Sequence, residues 1–142
     1  MSEEMSKGEW HAFVMAGTRT AKLAVPRQSG APHVAPIWIV LDGDDVIFTT
    51  GRGSLKGRTL RRNGWVTLCV DDETPPFAFV VITGEAEISD DPEALLRWAT
   101  EIGSRYMGAD RAAEFGRRNA VPEELLVRVR PTHIVARGGI SD

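Results

Sequence analysis

The sequence predicts a mainly β domain with peripheral helices, an α+β chain whose six or seven antiparallel strands close into a small barrel. Segments rich in Val, Ile, Thr and aromatic residues recur along it, and turn signals such as Ser29-Gly30 and Asp42-Gly43 separate the first of them at hairpin spacing. The helical patterns fall in blocks instead of alternating with strands, which excludes a doubly wound α/β sheet. At 142 residues, 42% of them hydrophobic, residues 1–142 read as a single domain with one ordinary core.

Taken in order, Ser6 and Glu9 form a capping-box pattern, and Trp10, Phe13 and Val14 give a short helix its apolar stripe up to Gly17. Strands follow near residues 18–25, 33–41 and 45–50. Val34 to Leu41 is apolar on both alternating sets, so a strand covered on both faces is expected there. Ser54 is placed to cap a short basic helix ending near Asn63-Gly64. Two strands come next, near 65–71 and 77–88. In the second, Ala78, Val80, Ile82 and Ala86 share one face, while the other turns polar at Thr83, Glu85 and Glu87. Asp91-Pro92 is an N-cap and N1 pair, and Leu95, Ala99, Ile102 and Tyr106 mark an amphipathic helix to Gly108. Asp110 is expected to cap a further helix to Arg118. The last strands, 125–130 and 133–137, flank a bend at Pro131.

No apolar run reaches the roughly 18 to 20 residues that span a bilayer. Cys69 is the single cysteine, and it lies in the apolar run Val66 to Val70, which reads as an inert core position. The acidic start Met1-Ser2-Glu3-Glu4 is unlike a secretory leader, so a cytoplasmic location is expected, with no membrane partner. The net charge of −3 gives no reason to expect nucleic acid. Arg52, Lys56, Arg58, Arg61 and Arg62 nonetheless crowd between Gly51 and Gly64 without an acid, in a chain that is acidic elsewhere. Such a segment suits one discrete anion better than a polyanion. His11, His33 and His133 are far apart and have no ligand partner at helical spacing, so no metal site is assigned. No dinucleotide fingerprint, phosphate loop or nucleophile elbow is present. Redox chemistry carried by a cofactor needs none of these.

The run Phe48-Thr49-Thr50-Gly51-Arg52-Gly53-Ser54-Leu55-Lys56-Gly57-Arg58-Thr59-Leu60-Arg61-Arg62-Asn63 is the most informative stretch. A strand ends in two hydroxyl residues, a glycine-flanked turn follows, and a helix N-terminus opens at Ser54 beside Lys56 and Arg58. That combination suits a phosphate or carboxylate. The plainer reading is a short helix with a solvated basic face.

With Thr20-Ala21-Lys22-Leu23-Ala24, Pro32 to Trp38, Asp44 to Thr50 and Gly84-Glu85-Ala86-Glu87-Ile88, this run resembles the split-barrel flavin and deazaflavin oxidoreductases related to pyridoxine-phosphate oxidase, and most closely their actinobacterial deazaflavin-binding branch. The resemblance implies an FMN-binding-like split barrel that dimerises, with two cofactor sites at the interface. It also implies coenzyme F-420, a deazaflavin, as cofactor, with FMN or FAD as the alternative. By position, Lys56 would meet the phosphate or acidic tail, with Ser54, Leu55, Arg58 and Arg61 nearby. Phe48, Thr49 and Thr50 would line the phosphate and ribityl chain, and Pro36, Ile37 and Trp38 the ring. Phe77, Ala78 and Phe79 would approach from the facing strand of the partner. The implied reaction is hydride transfer from the deazaflavin C5 to a small unsaturated or quinone-like acceptor. No side chain presents itself as a catalytic acid, which leaves solvent as the proton source. A deazaflavin carrier without turnover and a structural dimer without cofactor remain as readings of another class.

Overall fold

The computed structural model describes residues 2–142. Its strands are β1 (Glu3–Glu4), β2 (Ala21–Pro26), β3 (Pro32–Ile37), β4 (Val40–Asp42), β5 (Asp45–Gly51), β6 (Trp65–Asp72), β7 (Ala78–Ser89) and β8 (Glu124–Gly138). Its α-helices are α1 (Lys7–Met15), α2 (Leu55–Arg62), α3 (Pro92–Met107) and α4 (Ala112–Asn119). All the strand pairs are antiparallel, in the order β3-β2-β6-β7-β8-β5-β4, with β1 beside β8. The two edge strands, β3 and β4, are separated in sequence only by Trp38 and Ile39. The sheet therefore has to roll until its edges face each other, and chain connectivity closes it where no ladder does. The result is a barrel split along one seam, with peripheral helices.

Side-chain alternation fills the inside. Leu23, Val25, Phe48, Leu68, Val80, Ile82 and Val127 are all buried there, joined by Trp10 and Val14 of α1 and Leu60 of α2. A second cluster lies outside the barrel wall, where Leu95, Trp98 and Ile102 of α3 cover Val40, Ile47 and Leu126. The capping box of α1 forms as the sequence requires, with the Ser6 hydroxyl accepting the Glu9 amide and the Glu9 carboxylate accepting the Ser6 amide.

Four expectations are corrected. The strand over 33–41 is two strands, because the chain crosses the seam at Trp38-Ile39. Val34 is not covered: as an outward residue of an edge strand it is 62% exposed. The two closing strands are one, β8, which runs straight through Pro131. There Gly84 pairs with Pro131 but Thr83 with His133, so Thr132 is the extra residue of a bulge, and a proline is tolerated at such a break in the ladder. A Cβ on Gly84 would lie 2.3 Å from the Arg130 carbonyl oxygen, so the bulge also requires that glycine. Finally, Asp110 sits inside a 3₁₀ turn (Ala109–Arg111) and caps nothing, and α4 starts behind Arg111 without a side-chain cap. No α-helix of the described residues is long and apolar enough to cross a membrane.

Candidate functional site

A groove of about 350 Å³ opens beside the seam. Its walls are Pro36, Ile37 and Trp38, then Thr49, Thr50 and Gly51 at the end of β5, Ser54 and Lys56 at the start of α2, Ile102 of α3, and Glu124 at the start of β8. One end is built for an anion. The Ser54 hydroxyl accepts the Gly57 amide at 3.0 Å and donates to the Gly51 carbonyl at 2.7 Å, and it lies 3.2 Å from the Thr50 hydroxyl. This cap fixes α2 against the turn. The helix itself supplies no acceptor for the amides of Leu55 and Lys56, its first two residues. Ser54 and Lys56, at the N-terminal end of α2 where the helix dipole is positive, both line the groove. Gly57 makes the arrangement possible, because a Cβ there would lie 2.2 Å from the Gly51 carbonyl oxygen.

The other end presents a flat aromatic surface. The Trp38 ring stacks on Tyr106 with centroids 4.9 Å apart and planes 6° from parallel, and Phe115 packs at 6.1 Å. Trp38 is still 37% exposed. Tyr106 is held in turn, its hydroxyl donating to the Arg19 carbonyl at 2.7 Å and accepting the Ile39 amide at 3.1 Å. The Arg105 guanidinium donates to the carbonyls of Ile39 (2.6 Å), Val14 (2.7 Å), Gly17 (3.0 Å) and Arg19 (3.3 Å). Burial raises the Tyr106 phenol above its ordinary range, so it stays a neutral donor.

Of the residues expected in a site, Pro36, Ile37, Trp38, Thr49, Thr50, Ser54 and Lys56 line this groove. Leu55, the first residue of α2, does not line it. Phe48 is a correction: its side chain is fully buried in the barrel core. Turning it outward would cost roughly 1.5–3 kcal/mol of apolar burial. Arg58 and Arg61 do not line the groove, and both are exposed on α2. Residues two apart on a helix do not share a face, so Lys56 in the groove puts Arg58 away from it. Arg61 folds back to donate to the carbonyls of Arg52 (2.9 Å) and Gly57 (3.4 Å). Phe77, Ala78 and Phe79 stand at the β6–β7 turn and do not line the groove of their own chain.

The sequence reading misses Glu124 and Ile102. The basic run contains no acid, yet pairing of β5 with β8 sets Glu124 opposite Gly51 and brings a carboxylate into it. Burial pushes the Glu124 carboxyl above its usual range, against the pull of Lys56. Arg128 pairs with Asp42 (2.8 Å) and Asp45 (3.0 Å), and Arg130 with Glu87 (3.0 Å). Cys69 is half-buried on the outer face, and burial followed by Asp71 raises its thiol against Lys22, so it is a poor nucleophile.

A rolled, split antiparallel sheet with a helix N-terminus beside its seam is the architecture of the split-barrel flavin-binding oxidoreductases. The chain belongs to the pyridoxamine 5'-phosphate oxidase family, whose profile matches residues 7–137. It is similar to a conserved hypothetical protein of Mycobacterium tuberculosis, at 28% identity over 96% of this chain and 87% of that one, with a TM-score of 0.85. An F420 reductase is 25% identical over 87% of this chain and 94% of its own, with a TM-score of 0.69. A FAD-binding protein of Mesorhizobium loti shares the fold, at 18% identity, 96% of both chains and a TM-score of 0.72. No curated protein matches.

Proposed function

We propose that this protein is a cytoplasmic oxidoreductase that binds reduced coenzyme F-420 in the groove and passes a hydride to a small unsaturated or quinone-like acceptor. The observation that carries the reading is the pairing, within one groove, of a cationic helix N-terminus with a clamped aromatic face. Similarity to an F420 reductase supports the deazaflavin reading. When bound, the deazaflavin supplies the two-electron donor.

The chain's own residues bind and orient. Lys56 and the amides of Leu55 and Lys56 take the phosphate, and the Thr49 hydroxyl faces the polyhydroxyl chain. Trp38, held flat by Tyr106, sets the plane of the ring. Fixing donor and acceptor in one orientation is where most of the rate comes from. The groove is open on one side, and a homodimer would close it. The outward face of β3, β2, β6, β7 and β8 supports that dimer, since it leaves Val34 and Val135 exposed and Cys69 and Val81 half-buried. Phe77, Ala78 and Phe79 of a second copy would then cover the ring.

Titration with coenzyme F-420, FMN and FAD, followed by visible absorbance, tests the assignment. Coenzyme F-420 is expected to bind most tightly, and Lys56→Ala is expected to weaken it by roughly 1–3 kcal/mol, as for a charge-assisted hydrogen bond. Unchanged affinity in Lys56→Ala would remove that residue from the site. Reoxidation of the reduced cofactor by a panel of acceptors separates an enzyme from a carrier.

A further inference from the structure

We infer that Glu124 makes this groove selective for a phosphodiester, with one negative charge, over a phosphomonoester with two. The inference rests on the cofactor reading above and deepens it. Among the described residues Lys56 is the one cationic side chain in the groove wall, and Arg58 and Arg61 are exposed on α2 without lining it. Glu124 stands in the same wall, so the anion end holds one cation and one carboxylate. The first charge of a phosphate is met by the helix amides and Lys56. A second charge meets the attraction of Lys56 and the repulsion of Glu124 together, and gains nothing to offset its own desolvation. The main chain that carries Glu124 is held in place: Glu124 pairs with Gly51 in the ladder, its amide donates to the Val121 carbonyl at 3.0 Å, and the Arg52 amide donates to the Glu123 carbonyl at 2.7 Å. With no side chain on Gly51, the Glu124 Oε1 lies over the turn, 3.8 Å from where a Cβ would stand.

A second observation points the same way. Glu124 is also part of the wall of a further hollow of about 200 Å³, lined by Pro92, Leu95 and Val121 and by Arg52 and Asp90, which pair at 3.7 Å. A phosphodiester has a second ester arm that this hollow receives. A monoester has none.

The test compares the 5′-phosphate and the 5′-methyl phosphate of riboflavin, and the same pair on 5-deazariboflavin, at a pH of about 8, where the monoester is fully dianionic. Within each pair the ring and sugar chain are identical. Wild type is expected to prefer the methyl phosphate. Glu124→Gln is expected to shift the ratio toward the monoester by at least about tenfold, since it removes one full charge from a partly desolvated site. Glu124→Ala should shift it the same way, which guards against a misfolded first variant. If either ring binds wild type and the ratio stays put in both variants, the inference falls while the cofactor site stands. If neither ring nor coenzyme F-420 itself binds wild type, the site reading and the inference fall together.

Discussion

Gly57 sets how closely α2 approaches the end of β5. A methyl group there would stand 2.2 Å from the Gly51 carbonyl oxygen, inside any real contact, so Gly57→Ala has to push the helix off the turn. Overpacking of this kind costs about 1–3 kcal/mol. A fall of that size in denaturant stability is expected, with a loss of anion affinity beyond it because the Ser54 cap separates from the strand end. An unaltered protein in both measurements would mean that the turn has slack. At this scale the sequence is readable only where the chemistry is local. Ser54, Lys56 and the paired threonines are legible because their neighbours in space are also their neighbours in the chain. Glu124 is not, because only the pairing of β5 with β8 makes it a neighbour of Lys56. Phe48 misleads for another reason. In the run Val46-Ile47-Phe48 both faces are apolar, since α3 covers the outside of β5, so the pattern does not say which residue points inward.

At the scale of elements, the last turns of α3 act as a clamp on the seam. Arg105 gathers four carbonyls from residues 14–19 and 39, and Tyr106 ties Arg19 to Ile39 while supporting Trp38. Removing the guanidinium leaves the part-buried Val14 carbonyl without that donor, at about 1–3 kcal/mol for an unsatisfied buried group, while Tyr106 still reaches Arg19 and Ile39. Arg105→Ala is therefore expected to lower the urea midpoint, and to weaken binding of the cofactor ring more than binding of inorganic phosphate. Arg105→Lys should restore little, because one ammonium does not reproduce the planar fork that spans these carbonyls. Equal losses for ring and phosphate would show that the clamp is structural alone. Element boundaries were hidden in two places. Nothing polar interrupts Val34 to Leu41 where the chain changes edge, and Pro131 looks like a strand end although the bulge at Gly84 absorbs it. Hairpin signals and helix caps placed most of the rest, because those devices are written in two to four adjacent residues.

For the whole molecule, the uncovered outer face makes association the quantity to measure. Val135 is 37% exposed, so a charge there costs the isolated fold little. Val135→Glu is expected to shift sedimentation from dimer toward monomer and to lower cofactor affinity in step, since in the proposed dimer a second copy covers the groove. A wild type that sediments as a monomer at micromolar concentration would sink the shared-site arrangement. The fold class was legible from blocks of strands and helices. The uncovered face was not, because its small and β-branched residues, such as Ala24, Cys69 and Val81, read equally well as ordinary strand positions.

The seam between β3 and β4 has a consequence for how a ligand is recognised. Everywhere else the barrel wall spends its main-chain donors and acceptors on neighbouring strands, but edge strands leave one row unspent. Next to Trp38 part of that row is already taken, the Ile39 amide by Tyr106 and its carbonyl by Arg105, and in the proposed binding mode the remaining edge peptide groups would read the polar rim of the ring. Recognition by the main chain survives the replacement of almost any side chain. A pocket placed at a gap in the ladder can thus keep its grip on a ring while the sequence around it drifts.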